Sequence, residues 1–295
     1  MLSTARPFFY DRPFPAAGNQ SVAMTTPLTF INSEPIDSLS SHDRGLAYGH
    51  GVFETMRLDR GSIPLRQLHL QRLALGLERL AIPLSAAAVD HQLEGLLTRM
   101  PGDGMVKLIV TAGCGPRGYR AAGGEATVIV HWYPAPRLLA GVSLQLCRYR
   151  LPDNPVLAGI KHLNRLDQVL AAAELKGDNQ GLLLDRHDRV VEAISHNLFA
   201  RVGGRWLTPP LDQCGVAGVM RRFVMTSLMP ELGVAVDEKP LPVASLADVE
   251  ELFICNAVTG LVPVTGVESL VRWPSQPGVD SLRKALFERL PCFAA

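Results

Sequence analysis

Pro155-Val156-Leu157-Ala158-Gly159-Ile160-Lys161-His162-Leu163-Asn164-Arg165-Leu166 is the stretch on which the reading of this 295-residue chain turns. Lys161 stands between apolar Ile160 and the polar pair His162 and Asn164. A strand expected over residues 142–148 there hands over to a helix with apolar positions at Leu163, Leu166, Val169, Leu170 and Ala173, closed by Gly177. A lysine amine condenses with an aldehyde only while unprotonated, and apolar neighbours push it toward that form. Most lysines are solvated charges, so the rest of the chain has to decide.

The bulk composition narrows the field. A chain of 295 residues suffices for two domains, and 47% hydrophobic with 19% charged residues fits packed cores rather than disorder. A net charge of +1 provides no field for nucleic acid or an anionic membrane, so an acidic small substrate must be held by local cations. The five cysteines (Cys114, Cys147, Cys214, Cys255, Cys292) are widely spaced and contain no C-x-x-C, which suggests neither a disulfide framework nor a zinc or other metal site and points to a reducing cytoplasm. No apolar run reaches membrane-spanning length. Residues 1–27, broken by Pro and Gly, read as a flexible extension with Met24 as an alternative start.

Upstream of the lysine, residues 29–37 read as a short strand with a Pro turn. The glycines of Ser41-His42-Asp43-Arg44-Gly45-Leu46-Ala47-Tyr48-Gly49-His50-Gly51 lack the context of a nucleotide loop. Residues 65–80 and 85–99 have helical leucine patterns. His69 and Arg72, three apart, share one face, and Arg72 is by itself compatible with a plain surface charge. Two β-rich runs, 105–111 and 126–132, are joined by a glycine-rich loop in which Arg117 and Tyr119 are candidates for an anionic, ring-shaped substrate, though loop flexibility explains the glycines equally well. The domains expected are a small N-terminal one over 28–133, a linker over 134–141 and a larger C-terminal one over 142–295.

Downstream, 181–184 and 190–202 read as strands, and a hairpin at Gly203-Gly204 leads into residues 206–208. Glu192 falls inside the second run, where a carboxylate is expensive, so it either faces solvent or meets a cation. Asp212 to Arg221 precedes an apolar helical run over 222–232. Its glycines are those of an ordinary helix start or of one whose free N–H groups suit a phosphate. A short strand over 251–254 leads to Cys255-Asn256-Ala257, and a last helix covers 279–290. No internal repeat is present.

Together these pieces resemble the fold-type IV pyridoxal phosphate enzymes, the group of branched-chain and D-amino-acid aminotransferases and aminodeoxychorismate lyases, over roughly Phe30 to the C-terminus. The run from Asn154 to Leu166 looks most like the lyases of bacterial folate synthesis. The resemblance implies an α+β/α/β fold: a small N-terminal α/β domain, and a larger C-terminal domain with a β-barrel-like sheet flanked by helices. By position, it implies that Lys161 joins the aldehyde of pyridoxal 5'-phosphate as an imine and Glu192 meets the pyridine nitrogen. Arg72 and the N–H groups of Val219 and Met220 would hold the phosphate, with Asn256 and Ala257 as a further phosphate contact.

The activity so implied is a lyase that converts 4-amino-4-deoxychorismate to 4-aminobenzoate and pyruvate, with Lys161 as catalytic base. Candidates for the substrate carboxylates are Arg117, Tyr119, His162 and Asn164, with Arg57 behind them. The alternatives are a branched-chain or D-amino-acid aminotransferase, and a non-catalytic cofactor-binding protein. Phe53 stands where D-amino-acid aminotransferases have a tyrosine, which argues against that branch, while His50 replaces an aspartate for no reason visible in the sequence. The resemblance also implies a homodimer whose second subunit covers an apolar N-terminal face.

Overall fold

The computed structural model describes residues 28–36, 38–120, 123–177 and 179–294; the expectations for the first 27 residues and for Asp37 lie outside them. Strand β1 (Leu28–Ile31) is followed by the short helix α1 (Arg44–Tyr48), strand β2 (Gly51–Leu58), helices α2 (Arg66–Arg79) and α3 (Ala86–Leu97), and strands β3 (Gly104–Thr111) and β4 (Thr127–Pro134). The strands form an antiparallel sheet in the order β1-β4-β3-β2. Strict alternation in β2 and β3 turns Val52, Met56, Leu58, Val106, Leu108 and Val110 toward Leu73 and Leu77 of α2 and Val89 and Leu93 of α3. Gly76 permits the close approach, because a Cβ there would lie 2.8 Å from Val52 Cγ1.

The glycine-rich run that begins at Ser41 folds as a short capped helix. Asp43 caps α1 by accepting the Gly45 N–H at 2.7 Å, its other oxygen takes the hydroxyls of Thr111 and Thr127, and Gly49 ends the helix at φ 64°. His50 then bridges elements: its Nδ1 accepts from Arg44 Nε at 3.2 Å, which leaves Nε2–H to donate to the Leu80 carbonyl at 2.8 Å.

From residue 142 onward the chain builds a ten-stranded mixed sheet that follows an open, half-barrel path. Its elements are β5 (Val142–Leu151), α4 (Leu166–Ala172), β6 (Gln180–Asp185), β7 (Arg189–Ala193), β8 (Asn197–Val202), β9 (Arg205–Thr208), α5 (Val219–Phe223), α6 (Met229–Glu231), β10 (Val236–Glu238), β11 (Leu241–Pro242), β12 (Val249–Asn256), β13 (Gly260–Val267), β14 (Val271–Arg272) and α7 (Pro277–Arg289). The order is β10-β9-β8-β12-β13-β5-β6-β7-β11, with β14 beside β13. One core cluster holds Leu144, Leu182, Leu184, Ile254, Val262 and Val264. Another joins Phe199 and Phe253 to Met220, Phe223, Leu282 and Leu286 of the covering helices.

Three expected elements differ in detail. The helix after the lysine starts at Leu166, because Leu163 is held in an extended segment whose N–H donates to the Gly51 carbonyl. The run 190–202 is two strands: Ala193 and His196 exchange main-chain hydrogen bonds across a tight turn that contains neither Gly nor Pro. The helix expected from residue 222 begins at Val219 and passes through a π-helical turn, Val224–Leu228. Pro230 just beyond has no N–H to give the regular ladder, and Thr226 Oγ1 donates to the Arg222 carbonyl.

The large-domain core is tightest at Phe253, which stacks on Phe199 at 4.9 Å and meets Trp206 edge-on at 5.4 Å. Phe253→Ala is expected to cost about 3–5 kcal/mol through lost burial and the cavity left behind. Urea denaturation reads the effect, and a wild-type midpoint would contradict this packing.

Candidate active site

Lys161 lies in a segment gripped from both sides by main-chain hydrogen bonds. On one side Phe53 N–H donates to the Lys161 carbonyl at 2.8 Å, and Val52 pairs with His162 as an antiparallel bridge. On the other, Gly159 N–H donates to the Gly215 carbonyl and receives the Ala217 N–H at its own carbonyl, both at 3.0 Å, with Gly159 at φ +79°. Each half of the chain therefore fixes one edge of the lysine segment.

The Lys161 side chain lies over Phe53, its Nζ 4.5 Å from the ring centroid. Burial, reinforced by the positive charge of Arg72, brings its amine down from the ordinary lysine value to about 8, and Glu54 and Glu192 oppose the shift only in part. A substantial neutral fraction near physiological pH is what a covalent amine or a proton acceptor requires.

Glu192 is 4% exposed, so of its two expected settings the solvent face is excluded. Its Oε2 accepts Val216 N–H at 2.9 Å and Asn197 Nδ2 at 3.3 Å; among the described residues Oε1 receives no hydrogen bond. Burial lifts this carboxyl to about 7 against the pull of the Val216 N–H and the charge of Arg165. A half-satisfied buried carboxylate of this kind suits a protonated ring nitrogen, which would supply both the missing donor and the missing charge.

Arg72 is held rather than free. Its Nε donates to Glu54 Oε1 at 2.8 Å, its Nη2 to Glu54 Oε2, and its Nη1 to the Ala217 carbonyl at 3.1 Å, beside the start of α5. Glu54, 1% exposed, also accepts from His69 Nδ1 at 2.6 Å. Burial alone would raise this carboxyl, but Arg72 and His69 together bring it down to about 2. His69 is pushed below its ordinary value by burial, so it is the neutral ring that donates to Glu54, and its buried Nε2 has no partner among the described residues.

Val219 and Met220 form the buried first turn of α5, whose leading N–H groups lack intrahelical acceptors. Asn256 ends β12, and its Oδ1 accepts from Val258 N–H, Thr259 N–H and Thr259 Oγ1. That leaves its side chain tying down the turn and puts Ala257 at the tip. His162 and Asn164 flank the lysine. Burial lowers His162 to about 4, and the exposed Asn164 donates to the Gly49 carbonyl. Arg117 and Tyr119 lie elsewhere, exposed on a loop whose carbonyls at Gly118 and Tyr119 are held by Arg44, with the Tyr119 ring 5.6 Å from Tyr48. Arg57 donates to the Val258 carbonyl at 2.9 Å.

Sequence reading passed over Glu54, Arg165, His196 and Asn197. Arg165 Nε donates to the His162 carbonyl at 2.8 Å, and His196 spans Ser195 Oγ and Thr259 Oγ1. Glu54 had a signal: it occupies an inward strand position between Val52 and Met56, where a carboxylate demands a partner.

Residues 51–267 match the amino-transferase class IV family. An aminodeoxychorismate lyase of Vibrio harveyi is 34% identical over 250 residues, which is 81% of this chain and 91% of that protein. A Methanocaldococcus jannaschii protein assigned as a branched-chain-amino-acid aminotransferase is 32% identical over 255 residues, 82% of this chain and 88% of that protein. The crystal structure of 4-amino-4-deoxychorismate lyase from Pseudomonas aeruginosa superposes with a TM-score of 0.85 at 40% identity, covering 89% of this chain and 99% of that one. With the class IV match spanning most of its length and both halves of the fold in place, the chain belongs to the amino-transferase class IV family of pyridoxal phosphate enzymes.

Proposed function

We propose that the chain is an aminodeoxychorismate lyase that converts 4-amino-4-deoxychorismate to 4-aminobenzoate and pyruvate. The observation that carries this reading is a desolvated amine at Lys161 with Arg72 and Glu192 close enough to act on its charge, in a chain 34% and 40% identical to two lyases of that name. Pyridoxal phosphate, when bound, supplies the aldehyde and a protonated ring that accepts electron density. Lys161 would hold the aldehyde end until the substrate amine takes its place, and its freed amine would then take the substrate proton whose loss lets the enolpyruvyl group depart and return a proton to that enol to give pyruvate. Glu192 would keep the ring nitrogen protonated. Arg72, oriented by Glu54, and the N–H groups of Val219 and Met220 would bind the phosphate, joined by the main chain of the Asn256-Ala257 turn.

The functional unit proposed is a homodimer. Leu46 on α1 is 67% exposed and Leu166 and Val169 on α4 are 66% and 59% exposed, with Asn164 and Gly49 in contact between the two elements. Apolar surface of this kind suits a second copy of the chain. The exposed Arg117 and Tyr119 sit by α1 and would serve a substrate only across that patch, whereas His162 and Asn164 flank the lysine in the same chain, His162 on the Val52 side of the sheet. All five cysteines are free thiols, and no described helix is long and apolar enough to cross a membrane, which supports a cytoplasmic setting.

Incubation with 4-amino-4-deoxychorismate should release pyruvate and 4-aminobenzoate without any keto-acid acceptor, and Lys161→Ala should abolish that release. Amino transfer to a keto acid with no pyruvate formed would reject the lyase reading. Because the neutral amine is the nucleophile, covalent capture of pyridoxal phosphate by apoprotein should speed up as pH rises through about 8; a midpoint above pH 10 in stopped-flow absorbance would show that Lys161 is an ordinary surface amine. Glu54→Gln should weaken cofactor affinity on the order of 10- to 100-fold by releasing Arg72, read by fluorescence titration of apoprotein; unchanged affinity would remove the orienting role.

A further inference from the structure

The segment around Lys161 extends the first sheet by one strand. Val52 bridges His162, Phe53 N–H donates to the Lys161 carbonyl and Leu163 N–H to the Gly51 carbonyl, so Lys161 stands opposite Phe53. Paired residues in antiparallel strands share a face, and every second residue returns to it. Thr55 pairs with Lys107, and Lys107 pairs with His131. Lys161, Phe53, Thr55, Lys107 and His131 therefore project from one face, the side opposite Val52, Glu54 and the helices.

The ring of Phe53 is shared by two ammonium groups on that face. Nζ of Lys161 lies 4.5 Å from its centroid and Nζ of Lys107 lies 5.5 Å from it. The two lysines stand two strand intervals apart across the sheet and two residues apart along it, about 12 Å between backbones, and the amines can be no farther apart than those two ring distances combined. Lys107 is half-buried, and among the described residues no carboxylate lies within ion-pairing distance of it. Arg57, next along the same face of β2, has a buried Nε without a hydrogen-bond partner. Cations withdrawn from water without a counter-charge are costly, and a bound anion removes the cost.

We propose that Lys107 receives the ring carboxylate of the substrate, whose six-membered ring lies along Phe53 with its amine at Lys161; this rests on the lyase reading. In 4-amino-4-deoxychorismate the amine and the ring carboxylate are para, one ring-length apart, which is the kind of separation two lysines across an aromatic side chain can serve. A monocarboxylic α-amino acid carries both groups on one carbon and cannot reach from one lysine to the other. The pair is thus a gauge of amine-to-acid distance. The same carboxylate survives in 4-aminobenzoate, so the product is a direct probe of the subsite.

Calorimetric titration of the holoenzyme with 4-aminobenzoate and with aniline tests the assignment, with the visible absorbance of the bound cofactor confirming that each variant is folded and loaded. Lys107→Met should weaken 4-aminobenzoate on the order of 10- to 100-fold, the usual worth of a charge-assisted hydrogen bond, and leave aniline unaffected. Lys107→Arg should keep most of the affinity. Equal 4-aminobenzoate binding by wild type and Lys107→Met, or an equal loss for aniline, overturns the proposal. Pyruvate release by the wild type is scored separately: its absence removes the lyase reading, while the contrast between the two ligands still decides Lys107.

Discussion

Main-chain capture of the lysine segment by the edge of β2 is the constraint on which the site depends. A long, flexible side chain carrying a reactive amine is useful only if its backbone is fixed, and side-chain contacts alone would fix it poorly. Two hydrogen bonds to β2 and two to the Gly215–Ala217 loop, all between 2.8 and 3.0 Å, hold it from both halves of the chain at once. The cost is conformational: Gly159 must sit at φ +79°, where any side chain would add strain. A sheet that ended at β2 would leave Lys161 and Lys107 with no fixed relation.

Burial acts on the charges around this segment in opposite directions, and the partners decide which group keeps its charge. Glu54 and Glu192 are both buried carboxylates, yet one is brought down to about 2 and the other lifted to about 7. Glu54 has a guanidinium and an imidazole donor at hydrogen-bond distance, and the Glu54–Arg72 pair is complete without a ligand. Buried ion pairs of this type add little net stability compared with apolar packing, so the pair is better explained by the direction in which it aims Arg72. Glu192 has only amide donors on one oxygen, and its incompleteness marks the side from which a cationic ring would approach. Arrangements that push titratable groups apart in this way are characteristic of catalytic sites.

Much of this was legible in the sequence, and what escaped did so for physical reasons. The run from Asn154 to Leu166 carries the resemblance to the family, and through it the roles proposed for Lys161, Arg72 and Glu192. Leucine spacing located the two N-terminal helices to within one or two residues. The turn at Ile194–His196 escaped because it is made by two main-chain hydrogen bonds with neither Gly nor Pro to announce it. The π-helical turn escaped because the residue whose missing N–H breaks the ladder, Pro230, lies beyond the turn itself. Lys107 was invisible because its relation to Lys161 runs through two registers, β3 against β2 and β2 against the lysine segment, which only the assembled sheet sets. Arg117 and Tyr119 stand out by chemistry and loop context, and neither says which way a surface loop turns.

The period-two geometry of β2 sets the surroundings of both Arg72 and Lys161. Phe53 and Glu54 are neighbours in sequence and face opposite sides of one sheet. On the helix side Glu54 aligns Arg72 beside the start of α5, where a phosphate gains from both guanidinium and helix N–H groups. On the other side Phe53 provides the apolar strip between Lys161 and Lys107, where an aromatic product can lie flat and an acid group finds a cation. A one-residue slip of β2 against β3 would exchange these faces, burying Phe53 among the leucines of α2 and turning Glu54 toward the reactive amine. The eight-residue register from Gly51↔Thr111 to Leu58↔Gly104 excludes that slip, so the pairing that builds the core of the first sheet also keeps Glu54 with Arg72 and Phe53 with the two lysines.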